Sequence, residues 1–466
     1  MLPSLPPLQD AAHGFARSAL IKRKLHALCR LFDFSPAETA DPAVLLERDA
    51  KRRALMEVLE YACEDPQFVH GPNTAALVRM VTANMLRVDN TVYIDQPCIR
   101  RARKTVPDLN DGAGLVRGGG LWKDIMSSTG GDDAVSAMAL CAWWPHQQII
   151  YEILLRFVVS PHVDAKALKR YVPRRFIREL VGLTRTSDPR ERTYVKTVIH
   201  RLYEKATSLR TFIRRCMEYQ FFNFMMDDGE AHAKFCCVGH EKVDEGPHHS
   251  GLNDLLKVYG TIVDGYRVPL RPENLVFFEK ILLPLHKVQL YSKVASNTSA
   301  CLKSYLEKDA SLAVSWVRAL TSWWPWREYA KMPFFFNELT TVLELMPPGQ
   351  FEIVAPDVFR ILRGCILDPH FQVAEQALLC WRSEYFVSLM AQNRQMVVPL
   401  VYPALYQNSK THWHPLVKSL SANVLKLFLE IDPYLVQQTA AEYKQFRKVE
   451  KERSARRREA WEGFRG

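Results

Sequence analysis

Apolar residues recur along most of this sequence with the three- and four-residue spacing of amphipathic helices. The alternating pattern that half-buried strands show is almost absent. The clearest helical runs are Val195, Val198, Ile199, Leu202 and Ala206, then Leu252, Leu255, Leu256, Tyr259 and Val263, and finally Leu416, Leu420, Val424, Leu427 and Ile431. The pattern predicts an all-α protein.

The breaks between the helical runs have similar chemistry. Asp-Pro pairs begin at Asp65, Asp188, Asp368 and Asp432, and Ser160-Pro161 is a close variant. An Asp or Ser N-cap followed by Pro favours the start of a helix. The loose spacing, near multiples of about 40 residues, is typical of HEAT or armadillo repeats. We therefore predict a curved superhelical solenoid of HEAT-like, armadillo-like helix pairs, with a helical bundle enzyme as the alternative.

The same pattern divides the chain into three predicted parts. Residues 1–30 form an N-terminal extension with a basic helix, residues 31–443 form the solenoid, and residues 444–466 form a basic, mixed-charge helix or tail. Two segments interrupt the helical pattern. Residues 89–138 are rich in glycine and residues 227–250 are polar, so both are predicted to be flexible insertions.

Composition and charge narrow the choice of compartment and partner. The net charge is +11, but glutamates interleave with the bases of the C-terminal tail. We therefore interpret the tail as a solvated helix, rather than as a nuclear signal or a nucleic-acid site. Ten scattered cysteines and the lack of a signal peptide indicate a reducing compartment. We predict the cytoplasm, with the nucleus as a second candidate, and expect neither a membrane nor a nucleic acid as partner.

One cluster has the residue types of a metal site: His232, Cys236, Cys237, His240, His248 and His249. Zinc ligands usually come in spaced pairs, and the adjacent Cys236-Cys237 pair does not suit that geometry. A surface loop therefore explains this segment better than zinc does. No metal and no cofactor is predicted.

Familiar catalytic signatures are missing from the sequence. It contains no H-E-x-x-H, no G-x-S-x-G, no P-loop and no H-R-D motif. A long helical-repeat chain without such motifs is usually a binding or scaffolding protein. We therefore predict a protein that is not an enzyme.

Several long motifs resemble one family. They include Trp144-Pro145-His146-Gln147, Asp188-Pro189-Arg190-Glu191-Arg192, Leu283-Pro284-Leu285-His286-Lys287, Phe336-Asn337-Glu338-Leu339, His370-Phe371-Gln372-Val373-Ala374-Glu375 and Asn408-Ser409-Lys410-Thr411-His412-Trp413. In this order, from about Leu31 to Trp461, they resemble the B-prime family of regulatory subunits of protein phosphatase 2A. The first 30 residues and the two insertions depart from the family, so the chain resembles a divergent member.

The resemblance implies a function and a binding site. It implies a non-catalytic subunit that joins a scaffold subunit and a catalytic subunit, and that recruits substrate or adaptor proteins through short L-x-x-I-x-E motifs. By residue-by-residue resemblance, the motif groove has His200, Arg201, Tyr203 and Arg210 on one side, and Val258, Ile262, Arg271 and Asn274 on the other. Asn274 stands where the family usually has histidine, which implies a smaller gain from phosphorylation of the peptide.

The residues themselves support the same surface. Val258 and Ile262 lie off the predicted apolar stripe of their helix, and an exposed apolar pair there would suit leucine and isoleucine side chains. Arg201 or His200 would pair with the glutamate. On this interpretation Val258 and Arg201 are exposed, and substituting them changes binding and not folding. The position of Val258 and Ile262 on a helical wheel, taken alone, leaves open that they pack against a neighbouring repeat.

Two other functions remain as alternatives. A free-standing HEAT-repeat adaptor for transport or nucleic-acid complexes would suit the basic tail. A helical enzyme with an unrecognised site is the third possibility. Affinity purification distinguishes these three functions, because a phosphatase scaffold and catalytic subunit should copurify only with a regulatory subunit of the phosphatase.

Overall fold

The computed structural model of the chain describes residues 5–11, 15–32, 42–64, 73–86, 143–186, 188–235 and 250–463. Within these ranges the regular structure is helical and contains no strand. The prediction of an all-α protein is confirmed.

Nineteen α-helices lie in the described ranges. They are α1 (Phe15–Ala27), α2 (Pro42–Glu64), α3 (Asn73–Leu86), α4 (Trp144–Val159), α5 (Ala165–Tyr171), α6 (Arg174–Gly182), α7 (Pro189–Lys205), α8 (Arg210–Phe235), α9 (Ser250–Asp264), α10 (Pro272–Phe277), α11 (Tyr291–Lys308), α12 (Leu312–Ser322), α13 (Met332–Leu345), α14 (Pro348–Ile366), α15 (Phe371–Leu379), α16 (Glu384–Gln392), α17 (Arg394–Thr411), α18 (Pro415–Ile431) and α19 (Pro433–Gly463). Short 3-10 turns and one π-helical turn, Phe278–Leu282, connect some of them.

The chain forms two compact units. The first comprises Met1–Phe224 and Val238–Val258, and the second comprises Met225–Cys237 and Tyr259–Gly466. The division falls within α8 and within α9, so both helices contribute to each unit. The predicted division into residues 1–30, 31–443 and 444–466 is a different one and stays a prediction.

The first unit stacks its helices in two layers. In one layer α2 packs on α4, and α4 packs on α7. In the other layer α1 packs on α3, and α3 packs on α6. Contact between α3 and α4 joins the two layers. This is the neighbour-on-neighbour packing that defines helical repeats.

The second unit repeats the arrangement more regularly. Helices α12, α14, α17 and α19 pack in succession, and so do α13, α15 and α18. Within single repeats α14 packs on α15, and α17 packs on α18. Each helix pair therefore buries its apolar surface against the next pair, as HEAT-like repeats do.

The predicted helix starts are partly right. Helices α7 and α19 begin directly after Asp188 and Asp432, as predicted. At Asp368 the prediction is wrong by two residues, because the carboxylate instead caps a turn by accepting a hydrogen bond from the His370 N–H. No helix begins at Pro161. The helix there starts at Ala165, where Asp164 accepts a hydrogen bond from the Ala167 N–H. Asp65 lies outside the described residues.

Two of the three predicted apolar stripes are buried as expected. They are the stripes of α7 and α9. The third prediction is right only for Val424, because α18 buries Val417, Ser421, Val424 and Phe428, whereas Leu416 is exposed. The buried face is rotated by about 70° from the predicted stripe, less than the 100° between successive residues. Which face of α18 is buried depends on its contacts with α15 and α17. The apolar pattern of a single helix carries no information about these neighbours.

The prediction of a loop insertion is partly wrong, whereas the predicted N-terminal basic helix is present. Helix α8 continues to Phe235, so residues 227–235 are helical and the loop prediction is wrong for them. Residues 236–249 and 89–138 lie outside the described residues, and so does most of the His/Cys cluster. A basic helix is present near the N-terminus, where Leu20, Ile21 and Leu25 of α1 are buried. None of the described helices is both long and apolar enough to span a bilayer.

Candidate functional site

Helix α7 carries three of the predicted binding residues and is anchored at its start. The Asp188 carboxylate accepts a hydrogen bond from the Arg190 N–H at 2.9 Å, and Pro189 occupies the first helical position. The Arg190 guanidinium also lies 2.8 Å from the same carboxylate and 4.6 Å from the centre of the Trp144 ring. The start of α7 is thereby tied to α4.

The predicted binding residues of α7 lie outside its core stripe. Residues Val195, Val198 and Leu202 are buried. Arg201 is exposed, and Tyr203 is partly exposed. The helical position of these side chains therefore agrees with the sequence prediction.

Arg201 and His200 share a carboxylate partner that the sequence analysis missed. The Arg201 Nη1 donates a hydrogen bond to Glu204 Oε2 at 2.9 Å, and the His200 Nδ1 lies 3.7 Å from Glu204 Oε1. The side chains of Arg201 and Glu204 are 46% and 49% exposed. An ion pair with this exposure contributes only about 0–1 kcal/mol, so Arg201 can exchange Glu204 for a ligand carboxylate at little cost. The sequence does contain a sign of this pairing, because Glu204 lies three residues after Arg201 and four after His200, where side chains of one helix are neighbours.

Tyr203 is held in place by two arginines. Arg210 donates hydrogen bonds to the carbonyl oxygens of Tyr203 at 2.8 Å and Glu204 at 2.9 Å, and its guanidinium lies 5.3 Å from the centre of the Tyr203 ring. Arg214 donates a hydrogen bond to the Tyr203 hydroxyl at 3.1 Å. Arg210 therefore satisfies backbone carbonyls at the C-terminal end of α7 and orients Tyr203. Sequence analysis included Arg210 and missed Arg214, which lies one helical turn later.

Helices α7 and α9 align in the same direction within the first unit. A side chain on Gly251 would overlap the Thr184 carbonyl oxygen, so the start of α9 lies directly against the turn before α7. Farther along, Asp254 lies 3.3 Å from the Arg192 guanidinium and 3.5 Å from the Lys196 ammonium. Gly251 lies against Thr184, and the later residue Asp254 lies against the later residues Arg192 and Lys196, so the two helices run in the same direction. One helical turn later come His200 on α7 and Val258 on α9.

Val258 and Ile262 are buried, and each is 4% exposed. The expectation that Val258 is exposed is therefore wrong. The physical reason is that α9 buries a face wider than the stripe of Leu255 and Tyr259, as a helix packed between neighbours does. The alternative that the wheel left open, packing against neighbouring structure, explains the burial of these two residues.

Arg271 and Asn274 lie at the start of α10 in the second unit. The Arg271 side chain is 79% exposed, and its guanidinium lies 4.0 Å from Glu273. Asn274 is only 6% exposed, and its carbonyl oxygen accepts a hydrogen bond from the Tyr305 hydroxyl at 3.0 Å. Arg271 is thus available to a ligand, whereas Asn274 belongs largely to the interior.

The described residues hold no group of three or more His, Cys, Asp or Glu placed to bind a metal ion. The buried cysteines of the second unit are not reactive thiolates either. Burial raises the pKa of Cys365 and of Cys380 to about 12. These thiols therefore stay protonated at neutral pH.

Comparison with known proteins shows the family. The family model described as the protein phosphatase 2A regulatory B subunit, B56 family, matches residues 5–464. The chain belongs to the B56 family. The match includes most of the N-terminal 30 residues and both predicted insertions, although the sequence analysis treated these as departures.

Individual relatives agree with this family. The chain is 33% identical over 462 residues to the 56 kDa regulatory subunit delta isoform of serine/threonine-protein phosphatase 2A from Oryctolagus cuniculus, covering 99% of this chain and 70% of the relative. It is 30% identical over 457 residues to the 56 kDa regulatory subunit alpha isoform from Homo sapiens, covering 98% of this chain and 82% of the relative. It is 33% identical over 461 residues to the regulatory subunit pptr-1 of protein phosphatase 2A from Caenorhabditis elegans, covering 99% of this chain and 74% of the relative.

The family membership settles the general role of the chain. The B56 family consists of regulatory subunits of protein phosphatase 2A. This chain is therefore a regulatory protein and not a catalytic subunit. The resemblance noted in the sequence motifs is confirmed. The assignment of individual residues to a motif groove stays a prediction.

Proposed function

We propose that the chain binds the scaffold and catalytic subunits of protein phosphatase 2A and recruits substrate or adaptor proteins that carry L-x-x-I-x-E motifs. The B56 family membership over residues 5–464 supports the assembly part of the proposal. The free cysteines of the described chain support the cytoplasm as its compartment, with the nucleus as a second location.

The observation that carries the recruitment part is the exposed Arg201 on α7. Its carboxylate partner, Glu204, is about half exposed and comes from the same helix. The glutamate of an incoming motif has the same functional group and would take the place of Glu204 or share the guanidinium with it, since arginine has five N–H donors. His200 and the oriented Tyr203 lie beside it on the same helix.

Val258 has a different role in this proposal from the one the sequence suggested. Because it is buried, it supports the surface from below and does not protrude into the ligand. Ile262, Arg271 and Asn274 remain predicted contacts of the peptide. Of these, Arg271 has the exposure that a contact with an acidic or phosphorylated residue needs.

Arg201→Ala is expected to weaken binding of an L-x-x-I-x-E peptide by about ten- to a hundredfold. A hydrogen bond to a charged group contributes about 1.5–3 kcal/mol, and the exposed Glu204 pair lost at the same time contributes little. Calorimetric titration of the wild type and the variant with one peptide measures the difference. Circular dichroism should show unchanged helical content.

Two further variants sharpen this test. Arg360→Ala is the matched control, because Arg360 also forms an exposed ion pair within one helix, at 2.7 Å from Asp357. Its peptide affinity should equal that of the wild type. Glu204→Ala removes the competing carboxylate and should keep or raise the affinity. Equal affinities for Arg201→Ala and Arg360→Ala would mean that Arg201 does not read the glutamate.

A further inference from the structure

The positive charge of the chain is concentrated in one stretch. Between Ala165 and Arg215 there are fifteen Lys or Arg residues and four Asp or Glu residues, a net charge of +11. The whole chain also has a net charge of +11, so the remaining residues are neutral in sum. This stretch covers α5, α6, α7 and the start of α8, all in the first unit.

Seven of these bases face solvent on α5, α6 and the start of α8. The exposed ones on α5, α6 and the start of α8 are Lys166, Lys169, Arg170, Arg174, Arg175, Arg178 and Arg215. Among the described residues, only Arg178 of this set has a carboxylate within 4.0 Å, at 3.9 Å from Glu179. That side chain is 62% exposed, so the contact neutralises little of its charge.

Helices α6 and α8 bring part of this charge onto one face. The Arg174 guanidinium lies 5.4 Å from the centre of the Phe212 ring. Four residues farther along both helices, burial raises the pKa of Cys216 and the nearby Arg178 charge opposes that increase. Arg174 therefore lies beside the start of α8, and Arg178 lies on the same side of α6, one helical turn after Arg174. The turn Thr207–Leu209, which leads into α8, packs against α5.

An apolar spot adjoins the arginines on α8. Tyr219 is 58% exposed and Phe222 is 48% exposed. They are three residues apart, so they are neighbours on the helix surface, and Arg215 lies one turn before Tyr219. We call Arg174, Arg178, Arg215, Tyr219 and Phe222 the basic-aromatic face. Arg215 follows Arg214 directly and therefore points about 100° away from the Tyr203 contact.

We propose that the basic-aromatic face is a docking surface for an acidic protein segment, one in which aspartate or glutamate residues flank an apolar anchor. Guanidinium groups present paired N–H donors that match carboxylates, which explains the predominance of arginine over lysine on this face. The neighbouring Tyr219 and Phe222 rings supply the apolar area for the anchor. This surface is separate from the Arg201 site and does not depend on it.

The arrangement suits an acidic protein segment better than other polyanions. Single-stranded nucleic acid needs successive aromatic platforms along a basic groove, and here the Phe212 ring is already covered by Arg174, which leaves one spot. A membrane surface needs a broad apolar face on the helix that enters it, whereas the exposed apolar residues described on α8, Tyr219, Phe222 and Met226, form one short stripe. A short segment with one anchor and flanking carboxylates matches both the charge and the size of the spot.

The test uses the full-length chain and a fluorescein-labelled peptide in which aspartates and glutamates flank a Leu-Phe pair. Fluorescence anisotropy should show binding that weakens as ionic strength rises. Arg174→Glu/Arg178→Glu should lower the affinity at least about tenfold, because attraction becomes repulsion. Tyr219→Ala/Phe222→Ala should lower it about threefold or more and leave the salt dependence unchanged.

Arg453→Glu/Arg456→Glu is the matched control, because both residues are exposed on α19 and the change in net charge is the same. It should alter the affinity by less than about twofold. Circular dichroism checks that every variant keeps its helical content. Equal losses in the two charge-reversed variants would overturn the proposal, as would no peptide binding by the wild type. Tighter binding of single-stranded RNA or phosphatidylserine vesicles than of the peptide would also overturn it.

Discussion

Val258→Asp is expected to lower the folding stability by at least about 3 kcal/mol. Val258 is 4% exposed on α9, so the new carboxylate would be buried without a designed partner. The main effect is therefore on folding, with any loss of peptide binding as a consequence. The apparent Tm from differential scanning calorimetry should fall clearly below that of the wild type.

Lys257→Asp provides the control for this variant. Lys257 is the preceding residue on α9 and is exposed, so the same new side chain would face water. Its stability should stay within about 0.5 kcal/mol of the wild type. If both variants had the wild-type Tm, Val258 would be accessible, and its role as an exposed contact for the peptide would have to be restored.

Glu338→Ala is expected to be similarly damaging, by about 3–5 kcal/mol. Glu338 is fully buried in α13 of the second unit. Its carboxylate accepts a hydrogen bond from Trp316 Nε1 at 3.2 Å and lies 2.8 Å from His286 Nε2, and it also accepts one from the Tyr291 hydroxyl. Removing the carboxylate would leave these groups buried without a partner.

The Tyr291 hydroxyl cannot compensate for the loss of the Glu338 carboxylate by ionising. Burial, together with the Glu338 charge, holds the pKa of Tyr291 well above its usual value, so the phenol remains a hydrogen-bond donor at any ordinary pH. Glu344→Ala is the matched control, since Glu344 lies on the same helix and is exposed. Chemical denaturation followed by circular dichroism measures both variants. Equal midpoints would show that the second unit does not rely on this buried cluster.

The sequence motifs around Glu338 show what sequence analysis recovers and what it misses. Leu283–Lys287 and Phe336–Leu339 are about 50 residues apart in sequence, and both were recognised as family motifs. Their contact through His286 and Glu338 was not predicted, because helical spacing describes one helix at a time. The all-α class and the repeats follow from local periodicity, which does not need the tertiary partners.

The candidate site shows the same limit. The positions of His200, Arg201 and Tyr203 outside the α7 core were predictable, since only one apolar stripe is present there. The burial of Val258 was not, because it depends on which helices surround α9. Likewise, the basic stretch from Ala165 to Arg215 is readable from the sequence, but the pairing of α6 with α8 and the exposure of Tyr219 are not.

Assembly with the phosphatase is the most direct test of the proposed function. The purified chain should be inactive alone on phosphopeptides. Mixed with a protein phosphatase 2A scaffold–catalytic dimer, it should elute with the dimer as a single earlier peak in size-exclusion chromatography. Separate elution of a correctly helical chain from every cognate dimer tested would contradict the proposal that it is a subunit of the phosphatase.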